Sequence, residues 1–274
     1  AAEEPHDGVL ASFLNGFLRK FNWAEPERCE AIIDIVRGRM PIAPSDATRS
    51  RDDVQTALGG FAAQLWAGQG RDAARGWLED WSEDPVGNSG VLNSYCSSLR
   101  GAFFHRYDGS REAGASEMTD RAQYGLELIL RSATSVSTQH YAIATDDGRP
   151  SAEREAAGKA YQKVESVTHH AMNQIYFGSG AHANDQRPAR GLADYPAMTQ
   201  FLSDYAQCLE LFSASGNPAT IHHLIELYEY VIPGDPAGVF NAIHGVLLGP
   251  AAREGYHRET LGNSVVVRII QRYL

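Results

Sequence analysis

The sequence predicts an all-α protein in which antiparallel helical pairs stack side by side as an irregular α-solenoid. Apolar residues recur at the i, i+3, i+4, i+7 spacing of an amphipathic helix along most of the chain. No segment alternates convincingly with the period of two that a half-buried strand shows. A third observation, the interval between helix starts, indicates how the helices stack.

Five apolar stripes predict the helices of the N-terminal part. Each stripe leaves one face of its helix in need of cover, so neighbouring helices have to pack against each other. Three tryptophans on or beside these stripes, Trp66, Trp77 and Trp81, are interpreted as core residues, and the alternative is that one of them protrudes as an interaction anchor. The stripes are Leu10, Phe13, Leu14, Phe17, Leu18 and Phe21; Cys29, Ile32, Ile33 and Val36; Val54, Ala57, Leu58, Phe61 and Leu65; Ala74, Trp77, Leu78 and Trp81; and Leu92, Tyr95, Cys96, Leu99 and Phe103.

Two longer helices are predicted in the middle of the chain, over about 116–145 and 151–177. The buried side of the second is marked by Tyr161, Val164, Val167, Thr168, Ala171 and Ile175. Further stripes complete the series. They are Met198, Phe201, Leu202, Tyr205, Leu209 and Phe212; Ile221, Leu224, Ile225, Tyr228 and Ile232; Val239, Phe240, Ile243 and Leu247; and Val266, Ile269, Ile270 and Tyr273.

Proline marks where several helices begin. In Asn217-Pro218 and Asp235-Pro236, a side chain that caps helices precedes a proline suited to the first helical turn. Asp84-Pro85 is a third pair of this kind. Each pair predicts a helix that starts at its proline.

Alternate helix starts recur at intervals of ~40 to 47 residues, which is the period of HEAT and armadillo arrays. Examples are the intervals from Pro26 to Arg71 and from Pro196 to Pro236. The two long helices in the middle interrupt this rhythm. The predicted solenoid is therefore HEAT-like but irregular.

A single helical-repeat domain is predicted over residues 1–274. Polar breaks with glycine or proline, at 41–53, 108–115 and 178–194, are predicted to be surface loops, and the second is the candidate for a sub-boundary. The chain begins without a methionine and ends inside a predicted helix. We therefore expect it to be a fragment of a longer protein.

The charge of the chain disfavours binding to nucleic acid or to an anionic membrane. Its formal net charge is -10, with 34 acidic and 24 basic side chains. A local basic patch would have to come from Arg49, Arg51, Arg187 and Arg190. Aspartates interrupt these arginines, so they are interpreted as solvated loop charge.

Cysteine content and hydropathy indicate the compartment. Cys29, Cys96 and Cys208 are far apart and form no CxxC pair, which favours a reducing, cytoplasmic location. No apolar run approaches the ~18 residues of a membrane-spanning helix, and no export signal opens the chain. A membrane partner is therefore not expected.

The histidine-rich stretch from Val164 to His182 is the first candidate for chemistry. His169 lies on the polar side of its predicted helix, and adjacent His170 points about 100° away, so the two are poorly placed to share a metal ion. Metal binding by His169 and His182 stays open as an alternative. Gly178 is interpreted as the end of the helix, which makes the stretch a helix terminus with a polar outer face.

The second candidate is a polar helix face with His222, Glu226 and Glu229 at i, i+4 and i+7. A metal ion held by this histidine and the carboxylates is one interpretation. The simpler interpretation is a surface pair between His222 and Glu226, which stabilises a helix by roughly a few tenths of a kcal/mol.

The third candidate is the stretch Asp146-Asp147-Gly148-Arg149-Pro150. It is similar to the aspartate-rich motif with which helical isoprenoid synthases hold diphosphate through Mg²⁺. The corresponding hypothesis is a helical-bundle enzyme that uses Asp146 and Asp147, with His140, to act on a phosphorylated or diphosphate substrate. The third acidic residue of the motif is missing, and a capped helix end followed by a turn also accounts for the stretch.

The last part of the chain, Asn217 to Leu274, resembles the degenerate helical-repeat tails of very large bacterial multidomain proteins, including some ATPase-type sensors. The turns and apolar stripes quoted above carry the resemblance. It implies an α-solenoid scaffold or sensor region attached to an effector elsewhere in the parent chain. Arg268 and Arg272 share a face of the final predicted helix and would suit acidic residues of a following helix.

These patterns together predict a non-catalytic helical scaffold or recognition module that binds another protein or a neighbouring domain of its parent chain. No residue is assigned a catalytic, cofactor-binding or metal-binding role. The sequence has no GxSxG or HExxH motif and no cysteine in a recognisable catalytic setting. The Mg²⁺-dependent enzyme is the alternative.

Overall fold

A computed structural model shows the fold of the chain. It describes residues 7–18, 20, 24–39, 49–99, 113–178, 202–203, 205–213, 218–232, 235–248, 266–267 and 269–271. These residues form helices and the turns beside them, and no strand occurs among them. The predicted all-α class is therefore confirmed.

Ten α-helices account for most of the described residues. The first and the third continue into five-residue π-helical turns, Leu14–Leu18 and Gln64–Gly68. The helices are α1 (Asp7–Phe13), α2 (Pro26–Arg39), α3 (Arg49–Ala63), α4 (Asp72–Glu83), α5 (Ser89–Ser98), α6 (Ala113–Thr145), α7 (Ser151–Gly178), α8 (Ala206–Ser213), α9 (Pro218–Val231) and α10 (Pro236–Leu247). The two long helices predicted in the middle are α6 and α7, with 33 and 28 residues.

Two helices begin at the prolines that the sequence singles out. α9 begins at Pro218, and α10 begins at Pro236. Asp235 is the N-cap of α10, because its carboxylate accepts the backbone N–H of Gly238 at 3.0 Å. The proline has no N–H to satisfy in the first turn, so it suits this position.

The prediction of a helix starting at Pro85 is wrong. Asp84 directly follows α4, and its carboxylate accepts the backbone N–H of Gly87 at 3.0 Å. This hydrogen bond closes a turn, and α5 begins only at Ser89. An aspartate before a proline therefore serves here as a turn residue, a role for which Asp is equally suited.

The predicted loops agree only in part with the structure. α3 begins at Arg49, so the last part of the 41–53 break is helical, and Arg49 and Arg51 belong to a helix and not to a loop. α7 extends to Gly178, and the residues after it lie outside the described set, so the predicted helix stop at this glycine stays a prediction. The proposed sub-boundary at 108–115 lies mainly outside the described residues, as do Arg187 and Arg190.

The helices contact each other in two series. In the odd series, α1 contacts α3, α3 contacts α5, α5 contacts α7, and α7 contacts α9. In the even series, α4 contacts α6, α6 contacts α8, and α8 contacts α10. Helix α2 is joined to α4 by an ion pair between Arg37 and Asp80, with Nη2 and Oδ2 at 2.7 Å. Further contacts, above all between α6 and α7, hold the two series together.

One continuous apolar core runs through both series, from Leu14 to Ile269. Trp66, Trp77 and Trp81 belong to it, with only 8%, 3% and 7% of their surface exposed. Their interpretation as core residues is confirmed, and the alternative of a protruding interaction anchor is wrong for these three. Cys29 and Cys96 are also buried and form no disulfide. The side chain of Cys208 lies outside the described set.

A glycine makes the reversal between α3 and α4. Gly70 has a φ of 69°, which is the left-handed conformation that side chains disfavour. The guanidinium of Arg121, from α6, reaches this turn: Nε donates to the carbonyl of Ala67 at 3.1 Å, and Nη2 donates to that of Gly68 at 3.4 Å. In return, the indole N–H of Trp66 donates to the carbonyl of Arg121 at 3.0 Å. The turn is thus fixed to the even series.

Candidate functional site

The two aspartates between α6 and α7 each have an arginine partner. Asp146 accepts the backbone N–H of Gly148 at 2.9 Å, and its other carboxylate oxygen lies 3.4 Å from Nε of Arg149. Asp147 accepts a hydrogen bond of 2.6 Å from Nη1 of Arg154. These contacts are those of a turn that closes on its own aspartate, as the capped-end interpretation predicts.

His140 does not complete a metal site with these aspartates. Among the described residues, no group of three or more His, Cys, Asp and Glu side chains is placed to hold a metal ion. Nδ1 of His140 is buried and makes no hydrogen bond. The structure therefore places the three residues of the enzyme hypothesis in the same region without assembling them.

The histidine pair of α7 is held by its own helix. His169 and His170 are both half-buried, and their ring centroids lie 6.0 Å apart with the planes at 90°. Nδ1 of His170 lies 2.7 Å from the carbonyl oxygen of Ser166, one turn earlier, so this nitrogen carries the proton that it donates. His182 lies outside the described residues. The predicted polar outer face is more covered than the sequence pattern indicates.

His222 and Glu226 form the pair that their spacing predicts. Nε2 of His222 lies 3.4 Å from a carboxylate oxygen of Glu226. The histidine side chain is only 17% exposed, whereas that of Glu226 is 46% exposed. Glu229 does not join them in a metal-binding group of the described residues. The pair joins two turns of α9 and leaves the carboxylate at the surface.

An ion-paired arginine between α2 and α4 is a feature that the sequence analysis missed. Arg71 donates to Glu30 through Nε and Nη2, at 2.6 and 3.0 Å, and Nη1 lies 2.9 Å from Glu27. The hydrogen bond to Glu30 is the main cause that raises the pKa of Arg71. A backbone hydrogen bond, and then Arg71, lower the pKa of Glu27.

A second arginine covers the tryptophans of α4. The guanidinium of Arg37 lies 5.6 Å from the ring centroid of Trp77 and 5.3 Å from that of Trp81. Trp77 donates its indole N–H to Asp34 at 2.7 Å. Cation–π contacts of this kind add to the ion pair with Asp80. The signal in the sequence was the spacing of Glu27, Glu30 and Asp34 at i, i+3 and i+7, which puts them on one face of α2. That face is the one that Arg71 and Trp77 contact.

A groove lies between α8 and α10, and we refer to it as the α8–α10 groove. Its volume is about 580 Å³, and apolar residues such as Leu209 and Val246 line most of it. Tyr228 of α9 is buried at its floor. Burial raises the pKa of Tyr228, and a hydrogen bond with Ser213 acts in the opposite direction. The volume of the α8–α10 groove is within the range of about 300–1,000 Å³ that ligand pockets usually have.

Comparisons with known proteins found no match, so the class of the chain has to be defined from its own structure. No protein-family model matches it. No curated protein and no solved structure matches it either. None of the described helices combines the length and the apolar character that a bilayer crossing requires. The class that fold and contacts define is an all-α protein with two connected series of helices.

Proposed function

We propose that the chain is a non-catalytic helical scaffold that binds a partner protein or a neighbouring domain of its parent protein. One observation carries the proposal: most of the described helices contact the second described helix after them along the chain, which gives an odd and an even series. In an α-solenoid, each unit contacts its neighbours in just this order, and the stack presents long surfaces for binding. The helices are accordingly proposed to form an irregular HEAT-like stack.

The contacts between α6 and α7 support an antiparallel arrangement of the pairs. Ser137 donates to Glu165 at 3.3 Å, and the rings of Tyr141 and Tyr161 lie 5.5 Å apart. Both pairs have the same midpoint in the sequence, residue 151, which directly follows the turn at 146–150, as expected when one helix runs back along the other. Antiparallel neighbours joined by a short turn are the unit from which helical repeats are built.

The use made of the polar groups also supports a structural role for this part of the chain. Arg71 pairs with two glutamates of α2, and the arginines near the α6–α7 turn pair with Asp146 and Asp147. Carboxylates engaged in this way are poorly placed to hold Mg²⁺ and diphosphate together. We therefore favour the scaffold over the Mg²⁺-dependent enzyme.

The resemblance of the last part of the chain to helical-repeat tails suggests the setting. We propose that the scaffold belongs to a large bacterial protein of the cytoplasm and positions an effector domain. Its partner would then be a protein surface or a domain of the same parent chain.

Site-specific photocrosslinking tests the proposal. A photoreactive residue replaces Ile35 in the even series or Val9 in the odd series, where the side chains are 55% and 69% exposed. In cells that make the natural parent protein, we expect crosslinks to one defined partner, or to another domain of the parent, from one series and not from the other. The absence of any crosslink from exposed positions of both series would contradict a scaffold role.

A ligand-binding measurement tests the enzyme alternative separately. Melting curves are recorded with millimolar Mg²⁺ and diphosphate, for the natural chain and for Asp147→Asn. The scaffold proposal expects no stabilisation of either protein by the ligands. A rise in melting temperature that the variant abolishes would favour the enzyme instead.

A further inference from the structure

The walls of the α8–α10 groove come from two helices of the same series. α8 provides Leu209 and Glu210, and α10 provides Val239, Ala242 and Gly245. The two helices touch, yet they leave about 580 Å³ between them. Because Glu210 and Gly245 are exposed, the groove opens to solvent along its length. It is a surface channel and not an enclosed cavity.

Small residues make the backbone of α10 accessible from the groove. Ala242 and Gly245 are about one turn apart, and both line it. A Cβ added to Gly245 would meet no atom within 4 Å, so none of the described residues fills this space. One residue past the end of α10, Leu248 is 62% exposed. Exposed apolar surface therefore also occurs just past the C-terminal end of α10.

The charge of the groove has one sign. Glu210 and Asp235 are exposed at its rim, and no lysine, arginine or histidine is among the described residues that line it. The carboxylate of Asp235 caps α10 through Gly238 and stays at the surface. The net charge of -10 adds to the negative potential around it. An occupant with apolar and cationic groups is complementary to this site.

We propose that the α8–α10 groove binds an amphipathic helix of a partner protein, with its apolar residues in the groove and its lysines or arginines against Glu210 and Asp235. An open channel between two helices has the shape that receives a third helix, whose apolar residues at i, i+3, i+4 and i+7 are its anchors. The proposal rests on the scaffold function and names the chemistry of the partner.

A model peptide tests the groove directly. The probe is a fluorescein-labelled helical peptide of about fourteen residues, with leucines on one face and lysines on the other, and its control carries glutamates in place of the lysines. Fluorescence anisotropy at low salt measures the Kd of each peptide. We expect the lysine peptide to bind and the glutamate peptide to bind at least about tenfold more weakly, because like charges would meet at the rim.

Two variants of the protein locate the binding. Gly245→Leu fills the groove, and Gly158→Leu is its matched control on α7, where an added Cβ also meets no atom within 4 Å. We expect Gly245→Leu to weaken binding of the lysine peptide at least about tenfold, and Gly158→Leu to leave its Kd unchanged. Glu210→Gln, at an exposed position, is expected to weaken it by about threefold and to reduce the effect of salt.

Equal binding to the Gly245→Leu and Gly158→Leu proteins, both with the helical circular dichroism of the natural chain, would overturn the proposal, because the peptide would then be attracted only by the overall charge. Binding of dodecylammonium that Gly245→Leu abolishes, without peptide binding, would also overturn it, since the groove would then hold a small amphiphile. Neither outcome contradicts the scaffold function if crosslinks form from one series. Conversely, if no crosslink forms from either series, the scaffold function is contradicted whether or not the peptide binds.

Discussion

Glycines in α3 and α6 lie against neighbouring helices, whereas a glycine of α10 faces the α8–α10 groove. A Cβ added to Gly59 would lie 2.2 Å from the carbonyl oxygen of Val91, and one added to Gly125 would lie 2.2 Å from the hydroxyl of Tyr95. A Cβ added to Gly245 would meet no atom within 4 Å. Glycine thus permits close packing at Gly59 and Gly125 and borders open space at Gly245.

The difference shows that helical stripes of similar composition have two uses. At Gly59 and Gly125, the missing side chain lets a neighbouring helix approach closely, which gives dense packing, whereas Gly76 and Gly158 of the same region face open space. In α10, none of the described residues fills the space beside Gly245. The positions of Gly59 and Gly125 are therefore expected to resist added volume, and that of Gly245 to tolerate it.

The largest contrast is expected in thiol reactivity. In a Cys208→Ser background, Ala242→Cys places a thiol in the groove, to be compared with buried Cys96 of α5. Burial raises the pKa of the Cys96 thiol and excludes reagents, so we expect the introduced cysteine to be alkylated by iodoacetamide at pH 8 about a thousandfold faster or more. Mass spectrometry of the peptides measures both rates. Rates within tenfold of each other would remove the contrast between the regions.

The next effect is the cost of filling the contact between α3 and α5. Gly59→Ala should lower the free energy of unfolding by about 3 kcal/mol, because the new methyl meets backbone atoms of α5 that cannot turn aside. Urea denaturation measures the change. Gly76→Ala of α4 is the control, since its Cβ meets no atom within 4 Å and we expect no loss of stability. A Gly59→Ala protein as stable as the natural chain would refute the close approach.

A double-mutant cycle sharpens the same point for α6. Gly125→Ala should be destabilising, because its methyl meets the hydroxyl of Tyr95. That hydroxyl is buried without a hydrogen-bond partner, so Tyr95→Phe alone should stabilise the protein by about 1 kcal/mol. In the double variant, part of the cost of Gly125→Ala should disappear, with a coupling of about 1 kcal/mol. Strictly additive free energies from urea denaturation would show that the two residues do not touch.

The smallest effect has the opposite sign. Gly245→Ala should raise the free energy of unfolding by about 0.5–1 kcal/mol, because alanine restricts the unfolded chain and its methyl enters empty space. Urea denaturation alongside Gly59→Ala tests the comparison within one protein. A loss of stability at Gly245 would mean that the groove is filled by the chain itself.

The stripes predicted the helices well because a helix repeats its own apolar period. The two long helices and the prolines that open α9 and α10 depend on nearby residues, and the structure agrees with each. Asp84-Pro85 was misread because the same two residues suit a turn or a helix start. Only the contact with Gly87 decides between them.

Candidate sites were harder to predict than helices, because they depend on what folding brings together. Arg71 is 41 residues from Glu30, and the sequence does not state that α2 and α4 meet. The α8–α10 groove is still less visible, since a space between helices has no residue pattern of its own. His222 and Glu226 were predictable because four residues along a helix bring side chains together without any help from the fold.

The π-helical turn at Gln64–Gly68 is the last turn of its helix. Such a turn takes up one residue more than an α-helical turn, and the chain leaves the helix directly after it, at Gln69 and Gly70. Leu65, Trp66 and Ala67 are buried one after another there, as Phe61, Ala62 and Ala63 are in the turn before it. This end of the helix is therefore covered on several sides. The loss of one residue before Trp66 would rotate its indole by about 100°, away from the carbonyl of Arg121 to which its N–H donates.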